Sequence, residues 1–239
     1  MSLPSLELLE DIAEHHQQER GFTPRLIGFR ARALDAVVPR GRVLDLGCAD
    51  GLLTRHLAAA GRSMVAVDAS ALRVERTRKV TEGLDVTVVQ SYFEEFEPPG
   101  GQKFDGVVLG CILEHLDDPV SLLRRCSDWL TDTGVVAAVV PHGRSLHRRA
   151  GVHMGLLPDI EALGEADDAL DHKRVYTIAM LTDEFERAGL TVVDTGGILL
   201  KPLPNSRMAD LPDALVEAYA ALGAEMPDLA AEIFAVGRR

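Results

Sequence analysis

The chain has 239 residues, of which 46% are hydrophobic and 26% charged, the composition of a globular protein. Its 25 Lys and Arg residues stand against 37 Asp and Glu residues, a formal net charge of −12. Nucleic acids and anionic membrane surfaces are bound through basic surfaces, so this balance argues against both as partners. The three cysteines (Cys48, Cys111, Cys126) form no CxxC pair, and we expect neither a disulfide framework nor a thiolate zinc site. This cysteine usage and the lack of a basic-then-apolar N-terminal signal predict a cytoplasmic protein.

The hydrophobic pattern predicts helices first and then an alternation of strands and helices. Two helices are predicted at 5–18 and 23–38, because apolar side chains recur on one face of each. Further on, short β-branched runs predict strands at 42–46, 64–68, 86–90, 104–110 and 135–140. Helices are predicted between them at 52–60, 71–82 and 119–130. Strands that are apolar on both faces and separated by helices are typical of a parallel sheet between two helix layers.

Residues 141–176 interrupt this alternation and hold several His and Arg residues. A long irregular insert in a compact domain is usually functional, and we interpret it as a lid or substrate-binding segment. The pattern then resumes with a helix at 180–188, a strand at 190–194, an apolar run at 198–200, a helix at 209–222 and a strand at 232–236. The segment 198–208 is either a second wall of the pocket or a dimer contact.

The most informative stretch is the first predicted strand and the turn after it, VLDLGCADG at 43–51. Asp45 lies near the end of the strand, where ligands bind in open α/β sheets. Gly47 permits a sharp turn without a side chain, and Gly51 can start the next helix close to the strand. Asp68 ends the second strand, and an acid at that position can accept hydrogen bonds from both hydroxyls of a ribose.

The turn also indicates which nucleoside cofactor is bound. It reads Gly-x-x-x-Gly, whereas the dinucleotide turn reads GxGxxG. The carboxylate of Asp45 would repel a pyrophosphate but would attract a cationic ammonium or sulfonium group. The sequence therefore favours S-adenosylmethionine over NAD, and an NAD-dependent oxidoreductase is the more remote alternative.

Several motifs in the expected order now point to a family. They are the turn at 43–51, Asp68, QSYFEE at 90–95, FDGVV at 104–108 and LEHLDDP at 113–119. Residues from about 41 to 140 resemble a class I S-adenosylmethionine-dependent methyltransferase of the ubiquinone-biosynthesis type. The resemblance implies an α/β, Rossmann-like three-layer sandwich with a seven-stranded, mostly parallel sheet of order 3-2-1-4-5-7-6. Its last strand would be antiparallel, which suits the run at 232–236.

The resemblance also assigns residues and boundaries within one domain, 1–239. The cofactor-binding residues it implies are Asp45, Gly47, Cys48, Gly51, Asp68, Ala69, Tyr92, Phe93 and Cys111. The implied parts are N-terminal helices (1–40), a cofactor-binding core (41–140), the lid or substrate insert (141–176) and the rest of the sheet (177–239). Ala49 stands where the family most often has glycine, and the family's acid for the adenine amine is missing near Ser91 and Tyr92.

Each of these residues also has a purely structural interpretation. Asp45 and Asp68 would then be helix caps or strand-end acids. Cys48 and Cys111 suit small buried packing residues better than nucleophiles. Tyr92 and Phe93 are equally typical of core aromatics.

Five of the eight histidines lie between positions 115 and 172, namely His115, His142, His147, His153 and His172. Their spacing matches no standard metal signature, so no metal is expected. A hydroxyl or amine acceptor must lose a proton, and a neutral histidine is a suitable base. We expect His142 or His172 to be the base, with His115 third, since it would otherwise pack against or cap the next helix. Tyr176 would orient the base.

The insert also carries a basic set that contrasts with the acidic chain. Arg144 and His147 are its predicted substrate-binding residues, together with Tyr176, and a solvated helix face is the alternative. The sequence thus predicts in-line methyl transfer to a hydroxyl or amine of a small molecule in biosynthesis. We expect a monomer or homodimer that binds a small-molecule acceptor and neither nucleic acid nor membrane. The alternatives are a peptide or protein N-methyltransferase and a non-catalytic S-adenosylmethionine-binding regulatory domain.

Overall fold

One mixed sheet organises the chain. The computed structural model describes residues 4–239, apart from the side chains of residues 165 and 166. Its strands are β1 (Arg42–Leu46), β2 (Ser63–Asp68), β3 (Val86–Gln90), β4 (Phe104–Gly110), β5 (Leu130–Pro141), β6 (Thr191–Ile198) and β7 (Glu232–Arg238). The order β3-β2-β1-β4-β5-β7-β6, with β7 antiparallel to both neighbours, confirms the predicted Rossmann-like sheet.

Helices pack on both sides of the sheet, and four of them begin with a side-chain N-cap. They are α1 (Leu6–His15), α2 (Thr23–Val37), α3 (Leu52–Ala59), α4 (Ala71–Val80), α5 (Pro119–Asp128), α6 (Leu146–His153), α7 (Glu165–Asp168), α8 (Ile178–Arg187), α9 (Asn205–Met208) and α10 (Asp213–Glu225). The side chains of Ser5, Ser70, Asp118 and Thr177 each accept a backbone N–H three residues later. Such N-caps contribute about 1 kcal/mol each.

The core lies on both faces of the sheet. Leu44 and Leu46 of β1 belong to the cluster that also contains Leu123 and Phe185, from α5 and α8. Val43 belongs to the opposite cluster, built with α2 and α3. Each fully buried aliphatic side chain contributes about 1.5–3 kcal/mol, so burial on two faces explains why these strands read as continuous apolar runs.

The later part of the chain departs from the predicted boundaries. The strand predicted at 190–194 runs to Ile198. The apolar run at 198–200 does not continue it, because Leu199 has a φ of 60° and turns the chain. The helix predicted at 209–222 begins at Asp213, directly after Pro212, whose ring fixes φ but supplies no N–H. The predicted irregular insert contains α6 and α7.

Among the described residues, no helix is both long and apolar enough to span a lipid bilayer.

Candidate active site

The turn after β1 depends on backbone conformations that a side chain would disturb. Gly47 and Gly51 have φ values of 72° and 80°. A Cβ on Gly47 would lie 2.1 Å from Cδ1 of Ile112, and a Cβ on Gly51 would lie 2.8 Å from Cγ2 of Thr77. The N–H groups of Gly47 and Cys48 both donate to the carbonyl of Val67, at 2.7 and 3.0 Å. The turn is therefore fixed against the end of β2.

Asp68 holds this turn from the end of β2. Its Oδ2 accepts the N–H of Ala49 at 3.0 Å, and its Oδ1 accepts the N–H of Ser70 at 3.0 Å. Burial raises the pKa of Asp68, and the nearby charge of Arg73 opposes that rise. Ala49 has a φ of 48°, so it adopts the left-handed conformation that glycine takes more readily. Each carboxylate oxygen retains a second acceptor position, which suits the ribose hydroxyls inferred from the sequence.

Asp45 lies beneath the turn and is almost completely buried. Burial raises its pKa to about 6, although the hydroxyl of Thr54, which donates to Oδ2 at 2.6 Å, opposes the rise. The charge of Arg30 also opposes it. Asp45 thus combines a structural contact with a carboxyl group near the carboxyl ends of β1 and β4.

The remaining predicted cofactor residues surround the same turn. Phe93 packs against the core, and its Cζ lies 3.3 Å from the position that a Cβ of Gly47 would take. The hydroxyl of Tyr92 donates to the carbonyl of Pro4 at 3.0 Å. Burial raises the pKa of the thiols of Cys48 and Cys111, which favours packing over nucleophilic roles. Ala69 is buried directly after Asp68.

The N-terminal segment lies across this region, which the sequence did not indicate. The carboxylate of Glu10 accepts the N–H groups of Ala71 and Leu72, at 2.7 and 3.4 Å, and the hydroxyl of Ser70 at 2.8 Å. At the other end of the segment, the N–H of Gln18 donates to Oδ2 of Asp50 at 2.8 Å. Helix α1 is thereby fixed over the start of α4.

Two of the predicted histidine bases meet at the carboxyl end of β4. The rings of His115 and His172 have centroids 4.8 Å apart and pack edge to face. Nδ1 of His172 lies 3.0 Å from Oδ1 of Asp167. That carboxylate also accepts the N–H of Gly164 and a bond from Arg148, both at 2.9 Å. Although burial alone would raise it, the pKa of Asp167 is held low by these hydrogen bonds, that from His172 foremost.

Glu114 is the third member of this group, and no described residue forms a hydrogen bond with its carboxylate. Both of its oxygens are buried without a hydrogen-bond partner, and burial raises its pKa to about 7. Potential ligand atoms of Glu114, His115 and His172 lie within 4.8 Å of one another. The three side chains form what we call the histidine–glutamate cluster.

His142 lies elsewhere. Its ring is buried, and its Nδ1 lies 3.1 Å from the carbonyl oxygen of Ala230. Its backbone forms a bridge to Tyr176, which is also buried and whose hydroxyl donates to Glu184 at 2.9 Å. The structure therefore gives both residues packing contacts and brings neither into the histidine–glutamate cluster.

The basic set of the insert divides into internal and outward-facing members. Arg148 is internal, because it donates to Asp167 and to the carbonyls of Ile160 and Ala162. Arg144 is exposed. His147 is half-buried, and burial together with the charge of Lys201 lowers its pKa to about 3. The alternative interpretation of the basic set as a solvated helix face therefore fits Arg144 but not Arg148.

Some residues of the site were not found from the sequence. Asp167 lies in the irregular insert, where no periodicity marks it. Arg30 of α2 and Glu232 of β7 form a buried double hydrogen bond, at 3.1 and 2.6 Å. The two are 202 positions apart in sequence, and only the sheet topology brings them together.

Comparison with known proteins identifies the family of this chain. A family model described as a methyltransferase domain matches residues 14–195, and the chain belongs to this family. It is therefore an S-adenosylmethionine-dependent methyltransferase. The ubiquinone biosynthesis O-methyltransferase of Aeromonas salmonicida is 29% identical over 172 residues, covering 69% of this chain and 68% of that protein. The same enzyme of Dinoroseobacter shibae is 30% identical over 164 residues, covering 68% and 64%.

Solved structures show the same fold. An S-adenosylmethionine-dependent methyltransferase of Mesorhizobium loti superimposes with a TM-score of 0.64 and 20% identity, covering 90% of this chain and 100% of that one. The magnesium protoporphyrin IX methyltransferase of Synechocystis, with bound S-adenosylhomocysteine, gives 0.60 and 14%, covering 91% and 84%.

The residues present suit this cofactor. The two glycines allow the turn its positive-φ conformation and its close packing against Ile112 and Thr77, and Asp68 keeps free acceptor positions beside the turn. Asp45 supplies a carboxyl group below the turn. These features fit a ribose and a sulfonium group better than a pyrophosphate.

Proposed function

We propose that the protein methylates a hydroxyl group of a small biosynthetic molecule, with His172 as the general base. The small-molecule acceptor and the oxygen nucleophile are inferred from the curated relatives, which are named O-methyltransferases. The chain spans about two thirds of their length, so the acceptor itself is not inferred from them. The three unpaired cysteines support the cytoplasm as the place of the reaction.

The pairing of His172 with Asp167 carries the assignment of the base. An ionised carboxylate can only accept, so Nδ1 of His172 carries the proton and Nε2 is free to take another. The low pKa of Asp167 keeps that carboxylate ionised and able to stabilise the imidazolium that forms. Nδ1 of His142 faces the backbone carbonyl of Ala230 instead, and no carboxylate among the described residues bonds to this ring. His172 is therefore the better of the two predicted bases.

His115 and Glu114, which lie next to His172, support its proposed role as a base. Burial, followed by the charge of His172, lowers the pKa of His115 to about 4, so His115 stays neutral near pH 7. The carbonyl of Glu114 accepts the N–H of Lys173 at 2.7 Å, which holds the chain next to His172 in place. These contacts position the ring of His172 before the acceptor arrives.

In the proposed reaction, the protein positions the reactants and removes one proton. When bound, the cofactor supplies an electrophilic methyl group on a positively charged sulfur. Asp45 and Asp68 would hold the cofactor, whose sulfur would be the leaving group and would keep the electron pair when the methyl group passes to the acceptor oxygen. Nε2 of His172 removes the proton of the hydroxyl, and Asp167 stabilises the resulting charge. The chain's main contributions are orientation and exclusion of water.

Transfer of a labelled methyl group tests this proposal. The protein is incubated with methyl-labelled S-adenosylmethionine and a panel of phenols, alcohols, amines and short peptides. Label in a phenol or alcohol is expected, and its loss in His172→Gln, with cofactor affinity retained, would support the base. Label found only in amines or peptides would overturn the oxygen nucleophile. Cofactor binding without transfer to any acceptor would favour a regulatory domain.

A further inference from the structure

Arg73, in the first turn of α4, is a mostly buried cation that has no close partner among the described residues. Its side chain is 18% exposed, and its Nε is buried without a hydrogen-bond partner. The nearest carboxylate atom is Oδ2 of Asp68, 3.9 Å from Nη1, which is too far for a hydrogen bond. By contrast, Arg30 is bonded twice to Glu232, and Arg62 donates to Asp35 and to three backbone carbonyls.

Neighbouring acids are already engaged. Asp68 accepts two backbone N–H groups, and Asp50 accepts from Gln18 and Arg76. The start of α4 is likewise occupied, because Glu10 accepts its first N–H groups. A buried guanidinium with unused donors is costly, and this cost falls when an anion binds it.

Arg73 lies close to the cofactor turn, because its Nη1 is 3.9 Å from the carboxylate of Asp68, which bonds to Ala49 of that turn. Its positive charge adds to burial in lowering the pKa of both His16 and His115. His115 in turn packs against His172 at 4.8 Å. A group bound by Arg73 would therefore lie near the acceptor rather than at a remote surface.

We propose that Arg73 binds a carboxylate group of the acceptor and so positions the acceptor hydroxyl against His172. A planar guanidinium matches a planar carboxylate with two parallel hydrogen bonds. The negative charge of Asp68 nearby opposes a doubly charged phosphate more strongly than a single carboxylate. This inference rests on the proposed function, because it needs a small-molecule acceptor at the histidine–glutamate cluster. It defines the acceptor class as hydroxy acids.

The test compares a hydroxy acid with its uncharged amide. Methyl transfer to 4-hydroxybenzoate and 4-hydroxybenzamide is measured in the wild type, Arg73→Met and Arg73→Lys. Arg78→Met, an exposed arginine on the same helix, serves as the control. Binding of both probes to the S-adenosylhomocysteine complex is measured by NMR titration, so that the comparison holds if turnover is slow.

The wild type and R78M are expected to favour the acid over the amide by about tenfold or more. R73M should lose this preference while its affinity for S-adenosylhomocysteine stays within about twofold, and R73K should restore it in part. Equal preference in the wild type and R73M would overturn the proposal. A loss of affinity for S-adenosylhomocysteine in R73M would instead show that Arg73 binds the cofactor and not the acceptor, which would also overturn the proposal. Failure of the wild type to transfer methyl to any hydroxyl would reject the proposed function separately from the role of Arg73.

Discussion

Nδ1 of His172 lies 3.0 Å from Oδ1 of Asp167, and the carboxylate is itself fixed by the N–H of Gly164 and by Arg148. Three bonds to one carboxylate leave the imidazole with one orientation and one favoured tautomer. The other nitrogen is therefore available for chemistry. This relationship separates His172 from the remaining histidines of the insert and leads to the first prediction.

Replacing either member of this pair should slow the reaction without weakening cofactor binding. His172→Gln removes the base and is expected to lower kcat by about 100-fold or more. Asp167→Asn keeps the shape but favours the wrong tautomer, so we expect a smaller loss, about tenfold or more. Single-turnover rates with labelled S-adenosylmethionine measure both. His153→Gln, in the same insert, is the control, and a wild-type rate in H172Q would reject the base.

A change at His142 should act on stability instead. Its ring is buried against the carbonyl of Ala230, and loss of a buried hydrogen bond costs about 1–3 kcal/mol. We therefore expect His142→Ala to lower the melting temperature by several degrees and to keep kcat within a few fold at a temperature where it is folded. A 100-fold loss of kcat in stable, folded H142A would indicate that His142, and not His172, is the general base.

Glu114 gives a prediction about pH. Its pKa is raised by burial from an ordinary 4.5 to about 7, so the folded protein favours the neutral acid. Wild-type stability relative to Glu114→Gln should be unaffected below pH 4.5, fall between pH 4.5 and 7, and stay constant above. At about 1.4 kcal/mol per pKa unit, the cost in cofactor-free protein is roughly 3 kcal/mol at pH 8.

Thermal unfolding of wild type and E114Q at pH 5 and pH 8 checks this. E114Q should melt several degrees above wild type at pH 8 and close to it at pH 5. Glu225→Gln, on the exposed end of α10, should follow the wild type at both values. If the melting temperature of E114Q exceeded that of the wild type by more at pH 5 than at pH 8, this would contradict the raised pKa of Glu114.

The histidine–glutamate cluster also permits a test for metal. Its ligand atoms lie within 4.8 Å of one another, although the sequence predicts no metal. If His172 acts as a base, extensive dialysis against EDTA should leave methyl transfer unchanged. Turnover could instead be lost on dialysis and then restored by Zn²⁺, Mn²⁺ or Mg²⁺, and not by Ca²⁺ at equal ionic strength. That result would show that a bound metal ion, and not His172 as a base, supports the reaction.

Much of the fold followed from local patterns. The strands β1, β3 and β4 have the bounds predicted from their apolar runs. β1 and β4 are largely buried, whereas β3, at the edge of the sheet, is only partly buried. The glycine turn and Asp68 were also predictable, since their roles depend on neighbours in sequence or on the next strand. The start of α10 was missed because α9 and Pro212 divide what reads as one helix.

The rest of the site depends on contacts between distant segments. Asp167 pairs with a histidine through the fold of the insert, and Glu10 reaches α4 from about 60 positions away. Arg73 has the sequence pattern of an ordinary helix residue, and only its burial beside Asp68 distinguishes it. Charge and periodicity carry no information about such contacts.

Isothermal titration of S-adenosylhomocysteine is the most direct measurement of the central claim, that the ends of β1 and β2 hold the cofactor. Wild type should bind, and Asp68→Asn should bind about tenfold or more weakly, because hydrogen bonds to a charged carboxylate are each worth about 1.5–3 kcal/mol. Asp194→Asn, an exposed acid on β6, should bind as the wild type does. Equal affinity in D68N and wild type would contradict the placement of the cofactor at Asp68.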